Sequence, residues 1–333
     1  MAEIVAFAKH LGYKVGGAEE SMHELLLTKH KANIKLVSFQ NIDCHFLKKE
    51  LPSNWEVVYF GNKFSFKYFS YFEYVFNRRK LRSFFQNLDK NSSLYTHGLY
   101  APIAINAFKG KSKLFLRCEN DLAINPNYYS GFKWLLKMIY KVSEYPAFYL
   151  FKKDLNIAIN KSEVISNSNF MKKKLKQLFG KDSNVVYPLI NEKVLIESFN
   201  KISGQTFQQG VVFVGDSIIK GIEIAKKIAQ LLPDQNFYFF SRYVKNQTKE
   251  GNIFWFPWQK NIIQVFKYAK IVIVPSICEE AYGRVSREAY LLNIPVIVSN
   301  RGGLPETVGN NANFIVEDYM NPVAWKRKIE SLI

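Results

Sequence analysis

Short apolar runs recur along the chain, and longer amphipathic segments separate most of them. In the second half the runs are Val211–Gly215, Phe237–Phe240, Ile253–Phe256, Ile271–Val274, Ile294–Val298 and Asn313–Val316. Continuous β-branched and aromatic runs of this length predict strands buried on both faces, and strands that alternate with helical patterns predict a parallel sheet. The first half repeats the scheme with Ile4–Ala8, Ile34–Phe39, Ser93–His97, Lys113–Arg117, Val164–Ser168 and Asn184–Pro188. A glycine loop, Gly16-Gly17-Ala18-Glu19, leads into a predicted helix through Leu27, and another helix is predicted over Phe170–Phe179. The polar stretch Asn191–Gln209 reads as a hinge, and the tail from Asn321 as a helix. The prediction is α/β, with two doubly wound parallel-sheet domains. They span 1–190 and 205–318, with 319–333 as a C-terminal helix.

Composition narrows the function classes. The chain has 333 residues, 48% of them apolar, enough for two cores. It holds no run of about 18 apolar residues, so no spanning helix is expected. The start, MAEIVAFAKHLG, reads as a first strand rather than a signal peptide. Cys44, Cys118 and Cys278 show no zinc spacing, which fits a reduced, cytoplasmic setting with no metal.

Charge changes the picture. Lys and Arg number 46 against 28 Asp and Glu. Residues 1–190 hold 29 of these bases and 15 of the acids, whereas 191–333 hold 17 and 13. So basic a first half favours an anionic partner: a phospholipid surface, a nucleic acid or a phosphorylated glycolipid. Two segments sharpen this. Residues 63–85 contain ten aromatic residues, with Arg78, Arg79, Lys80 and Arg82 near the end. Tyr128–Lys153 mixes Trp134, Leu135, Leu136, Met138, Ile139 and Tyr140 with Lys133, Lys137 and Lys141. Rings at headgroup depth and cations at lipid phosphates suit a membrane surface. A buried aromatic helix with a solvated basic end fits the same letters.

Residues 271–306 carry the chemistry: IVIVPSICEEAYGRVSREAYLLNIPVIVSNRGGLPE. Glu280 and Glu288 flank Gly283, which stands where a loop should become a helix. A helix N-terminus suits a diphosphate. Eight positions along a helix would set the two carboxylates roughly 80° apart, free to hold different hydroxyls of one ligand.

Taken together, Pro275-Ser276, Glu280, Tyr282-Gly283-Arg284-Val285, Glu288-Ala289, Pro295-Val296 and Gly302-Gly303-Leu304-Pro305-Glu306 resemble the retaining, family 4 nucleotide-sugar glycosyltransferases. That resemblance implies the GT-B fold, two Rossmann-like domains facing a central cleft, with the terminal helix packing back toward the first domain. It implies a nucleoside diphosphate sugar as donor substrate, of UDP or GDP type, no cofactor and no metal. Glu288 would hold the ribose, Glu280 the transferred sugar, and the backbone from Ala281 to Val285, opened by Gly283, the sugar and phosphates. Lys220, in Phe213-Val214-Gly215-Asp216-Ser217-Ile218-Ile219-Lys220-Gly221, would meet the diphosphate beside Gly215. Asp216 departs from the family, which has arginine there, and Arg242 or Arg284 would have to replace it. The base would lie near Phe256-Pro257-Trp258. The acceptor, a saccharide or lipid-linked glycan of bacterial surface polysaccharide or lipopolysaccharide synthesis, would meet Gly16, Gly17, His97, Glu119 and Asp121. An anionic membrane surface is a further candidate partner, with the protein peripheral on the inner face of the cell membrane. Two competing readings are a basic nucleic-acid-binding protein, with no RNA-binding motif to support it, and another sugar-nucleotide enzyme of similar fold.

Overall fold

A computed structural model describes residues 3–9, 17–29, 31–38, 51–59, 70–117, 122, 134–203 and 209–332. The chain divides into two compact units, Met1–Tyr187 and Pro188–Ile333.

In the first unit the strands are β1 (Ile4–Ala8), β2 (Ile34–Ser38), β3 (Trp55–Tyr59), β4 (Ser93–His97), β5 (Lys111–Leu116), β6 (Glu163–Ser166) and β7 (Asn184–Val185). All pair in parallel in the order β3-β2-β1-β4-β5-β6-β7. The helices are α1 (Gly17–Leu27), α2 (Ser70–Gln86), α3 (Ala101–Ala107), α4 (Trp134–Lys161) and α5 (Asn169–Phe179). Ser168 Oγ accepts from Met171 N and Gly180 closes the helix in the left-handed region, so α5 is capped at both ends. The described part of the aromatic segment is a helix with a buried face and an exposed one. Tyr71, Tyr74, Leu81 and Phe85 of α2 are buried, while Phe72, Val75 and Phe76 are exposed. Residues 63–69 and 128–133 lie outside the described residues.

The second unit has β8 (Gly210–Val214), β9 (Phe237–Ser241), β10 (Thr248–Glu250), β11 (Ile253–Pro257), β12 (Ala269–Val274), β13 (Val296–Ser299) and β14 (Ile315–Val316). Their order is β10-β11-β9-β8-β12-β13-β14, parallel except for β10. The helices are α6 (Glu192–Ser203), α7 (Ile222–Leu231), α8 (Ile263–Phe266), α9 (Arg284–Leu291), α10 (Leu304–Thr307) and α11 (Pro322–Glu330). Successive strand side chains point to opposite faces, and the core shows it. Val211, Phe213, Phe237, Phe239, Ile271 and Ile273 meet Ile224 and Ile228 of α7 on one face. Val212, Tyr238, Phe240 and Val272 meet Phe266, Ala289 and Leu304 on the other.

Several expectations change. Asn191–Gln209 is no hinge over its first part. Leu195, Phe199 and Ile202 recur at helical spacing, and α6 packs Phe199 onto the second unit's core. β3 and β10 answer to no expected run, β1 and β4 match theirs, β7 ends three residues short of its run, and β5, β6, β8, β9, β11, β12, β13 and β14 differ from theirs by one or two residues at one or both ends. The terminal helix, α11, buries Trp325 and Ile329 in the second unit's own core.

Candidate functional site

Parallel strands place all their carboxyl ends on one side of the second sheet. From β8 the chain winds outward to β9 and β11, then returns to enter β12 on the other side. The crevice between the ends of β8 and β12 is therefore where the winding reverses, the place where open α/β sheets bind ligands.

Lys220 and Glu280 meet at this crevice. Lys220 ends a 3-10 turn, Ile218–Lys220, that follows β8. Its Nζ donates to Glu280 Oε1, and Ser276 Oγ donates to the same oxygen at 2.7 Å. Burial alone would raise the Glu280 carboxyl. The Lys220 ammonium and the hydrogen bonds from Lys220 and Ser276 outweigh it and hold the group below its ordinary value of 4.5. Glu280 is thus a fixed carboxylate with a cation on it.

Backbone closeness sets this geometry. Gly221 has φ +81°, and a Cβ there would lie 1.8 Å from the Pro275 carbonyl oxygen. The turn carrying Lys220 rests directly on the loop after β12, where Ile277 N and Cys278 N both donate to Ile219 O, at 2.9 and 3.2 Å. From the other side Gly302, φ +61°, leaves no room for a Cβ, which would stand 2.2 Å from Glu280 O. Gly303 N donates to that oxygen at 2.7 Å. Arg301 Nε donates to Ile277 O at 3.0 Å and fastens the same loop.

Glu288 sits on α9, but Glu280 does not. Gly283, φ +123°, is the N-cap, so the helix begins at Arg284 and Glu280 belongs to the preceding loop. The 80° helical relation expected for the pair does not exist, because the backbone at Gly283 breaks the periodicity between them. Glu288 is buried and accepts from Arg284 Nε at 3.1 Å and Nη2 at 2.9 Å. Val285 is half-buried and packs against the core.

Arg242 follows β9, and its guanidinium stacks on the Trp258 ring beyond β11, 4.9 Å from the centroid. Its Nε is 3.9 Å from Asp216 Oδ2. Trp258 is 41% exposed, whereas Phe256 belongs to the core. A Cβ on Gly215 would meet the Phe213 ring at 2.7 Å and Lys220 Cβ at 3.2 Å. Sequence reasoning missed the parts played by Ser276 and Arg301. Both lie inside the motif-bearing stretch, but their contacts are made across the fold.

In the first unit the winding reverses between β1 and β4. His97 ends β4, buried, in register with Phe115. Gly17 opens α1 and its carbonyl accepts from Ser21 Oγ at 2.6 Å. Gly16, Glu119 and Asp121 lie outside the described residues. The sequence did not signal a buried cluster here. Lys9, just after β1, pairs with the fully buried Glu73 at 3.0 Å, and Tyr100 Oη donates to Glu73 at 2.7 Å. Burial and then the Glu73 charge push the Tyr100 phenol well above its usual value. Among the described residues no group of three or more His, Cys, Asp or Glu side chains could hold a metal ion. No helix among them is long and apolar enough to cross a membrane.

The two units together are a GT-B fold. Anabaena HepE, solved in complex with UDP and glucose, superposes with TM-score 0.69 at 18% identity over 99% of this chain and 89% of that one. WaaG, a glycosyltransferase involved in lipopolysaccharide biosynthesis, does so with TM-score 0.65 at 13% identity, over 99% and 90%. Residues 187–333 match the family model described as Glycosyl transferases group 1. D-inositol 3-phosphate glycosyltransferase of Corynebacterium kroppenstedtii is 33% identical over 73 residues, 22% of this chain and 16% of that protein. The curated relatives are matched over 20% and 16% of their own lengths.

Proposed function

We propose that the protein is a metal-independent, retaining glycosyltransferase. It moves a sugar from a nucleoside diphosphate sugar to a saccharide or lipid-linked acceptor of bacterial surface polysaccharide or lipopolysaccharide synthesis. One observation carries the reading: Lys220, Ser276 and Glu280 converge where the second sheet reverses, held there by glycine-mediated backbone contacts. The family model matched over this unit, the UDP and glucose bound to HepE, and the role of WaaG all support it.

In this reading the glycosidic C1–O bond breaks and charge develops on the departing diphosphate. Positive groups fixed before the reaction stabilise that charge most effectively. Lys220 supplies one. An ammonium has three donors and bridges the Glu280 carboxylate and a phosphate oxygen at once. Arg242 supplies the second. Its guanidinium stands beside Asp216, where the resembling family has arginine, whereas Arg284 is spent on Glu288. The N-terminus of α9 faces the same negative charge. Glu280 accepts from the hydroxyls of the transferred sugar, and Glu288 from the ribose. The acceptor oxygen bonds to C1 on the face the diphosphate leaves, and its proton passes to the departing phosphate oxygen.

Calorimetric titration with UDP and GDP tests the donor side, and proton NMR of the product anomer tests retention. Micromolar binding of one nucleotide, weakened in Glu288→Ala, is expected. Absence of binding to either nucleotide, or a product of inverted configuration, overturns the proposal.

A further inference from the structure

We infer that the first half of α2 and the first two-thirds of α4 form a docking face for an anionic phospholipid surface. The inference rests on the first unit alone and not on the transferase reading. In the first half of α4, Met138, Val142, Tyr145 and Tyr149 are exposed apolar residues among those described, at spacings of four, three and four, and Ile157 is exposed further along. That is one stripe along a helix. It is far from buried: Val142 is 74% and Tyr149 75% exposed. On α2, Phe72, Val75 and Phe76 form a second stripe, with Phe76 59% exposed.

The two stripes lie side by side. Glu144 of α4 accepts from Tyr71 N and Phe72 N of α2 at 2.9 and 2.8 Å. Ten residues further along α4, Asp154 accepts from Tyr74 Oη at 2.8 Å and from Arg78 Nε and Nη2 at 2.9 and 2.8 Å. The contacts advance along both helices together, so the helices run in the same direction. Both change character at the same level. The next exposed positions of α2 after Phe76 are Arg79 and Lys80, and the next of α4 after Tyr149 are Lys152 and Lys153, before Ser83 on α2 and Asn156 and Ile157 on α4. The result is an apolar, aromatic end and a basic end on one face, with its two helices locked by buried carboxylates.

This arrangement matches the layers of a bilayer surface. Aromatic and aliphatic groups enter the headgroup–acyl boundary while cations a turn away meet lipid phosphates. A nucleic acid would satisfy the cations and the tyrosines but gives nothing to Val75, Met138 and Val142. A second copy would bury the apolar stripes at the cost of bringing two sets of like charges together. Phospholipid is the occupant that uses every part.

Co-sedimentation of the full chain with phosphatidylcholine vesicles, with and without phosphatidylserine, at low and high salt, tests the inference. Binding should rise with phosphatidylserine and fall with salt. Each cation is worth about 1 kcal/mol near such a surface, or about fivefold. Arg79→Gln, Lys152→Gln and Lys153→Gln together should therefore weaken binding by about a hundredfold. Val142→Ser with Tyr149→Ser should weaken it as well and leave the remainder more salt-sensitive. These side chains are exposed, so far-ultraviolet circular dichroism and the melting temperature should match wild type. Three results would overturn the inference: no vesicle binding by wild type, binding unchanged in both variants, or a wild-type dimer in sedimentation that the Ser variant abolishes.

Discussion

Gly221→Ala should disable the second unit's site while an equally strained control leaves it working. Both Gly221 and Gly251 have positive φ, +81° and +58°. Alanine in the left-handed region costs roughly 1–2 kcal/mol. At Gly251 nothing lies within 4 Å of the added Cβ, so that is the whole cost. At Gly221 the methyl would stand 1.8 Å from Pro275 O, and real Cβ atoms do not approach within 3.0 Å. The turn and the loop after β12 must separate by the difference. That shift breaks the two hydrogen bonds from Ile277 and Cys278 to Ile219 O. Each is worth about 1 kcal/mol, so the variant should lose roughly 3–4 kcal/mol in all. Lys220 is carried away from Glu280 and Ser276 by the same movement. Urea unfolding followed by tryptophan fluorescence, with UDP and GDP titrations, checks both consequences. Gly251→Ala should retain nucleotide affinity with a modest loss of stability. A Gly221→Ala protein as stable as Gly251→Ala, or one that binds nucleotide as wild type does, refutes the reasoning.

Lys220→Met should raise the Glu280 carboxyl, because burial then acts without its counter-charge. In wild type the depressed Glu280 contributes stability that is complete above its unfolded value and is lost as pH falls through the lower folded value. Unfolding free energies measured from neutral into acid pH should show that loss in wild type and its absence in Lys220→Met. Arg242→Ala should weaken nucleotide binding about tenfold, as expected for a hydrogen bond to a charged group. Asp216→Asn should tighten it by up to about fivefold, the scale of exposed charge pairs, and calorimetry reads both. Lys9→Met should destabilise the first unit by up to about 3 kcal/mol, because it removes the cation from the buried Glu73 carboxyl. Lys9→Met with Glu73→Gln should recover most of it in a double-mutant cycle, and strict additivity would refute the pairing.

The parts legible in the sequence are those whose cause is local. Parallel strands buried on both faces must be apolar throughout, so Val211–Val214 and Ile271–Val274 announced themselves. Thr248–Glu250 is an exposed edge strand with no apolar residue, and it gave no signal. The Glu192–Ser203 helix was hidden by its polar majority, although its apolar residues keep helical spacing. The charged members of the site stood out within one continuous stretch. What holds them did not, since Arg301 reaches Ile277 and Gly302 covers Glu280 only once the chain has folded.

That distinction bears on how such a site should be sought in other chains. A lysine and a glutamate sixty residues apart occur together by chance in countless sequences. Gly221 and Gly302 are different in kind, because each permits a contact that any side chain forbids: one beneath the Lys220 turn, the other against the Glu280 backbone. They fix the loop from two sides, and the loop in turn fixes Ser276 on Glu280. A chain with both charges but bulkier residues at these two positions has the reagents without the frame that brings them together. The glycines, with Pro275 and Ser276, are therefore the more discriminating signature, and the charges report what the frame is for.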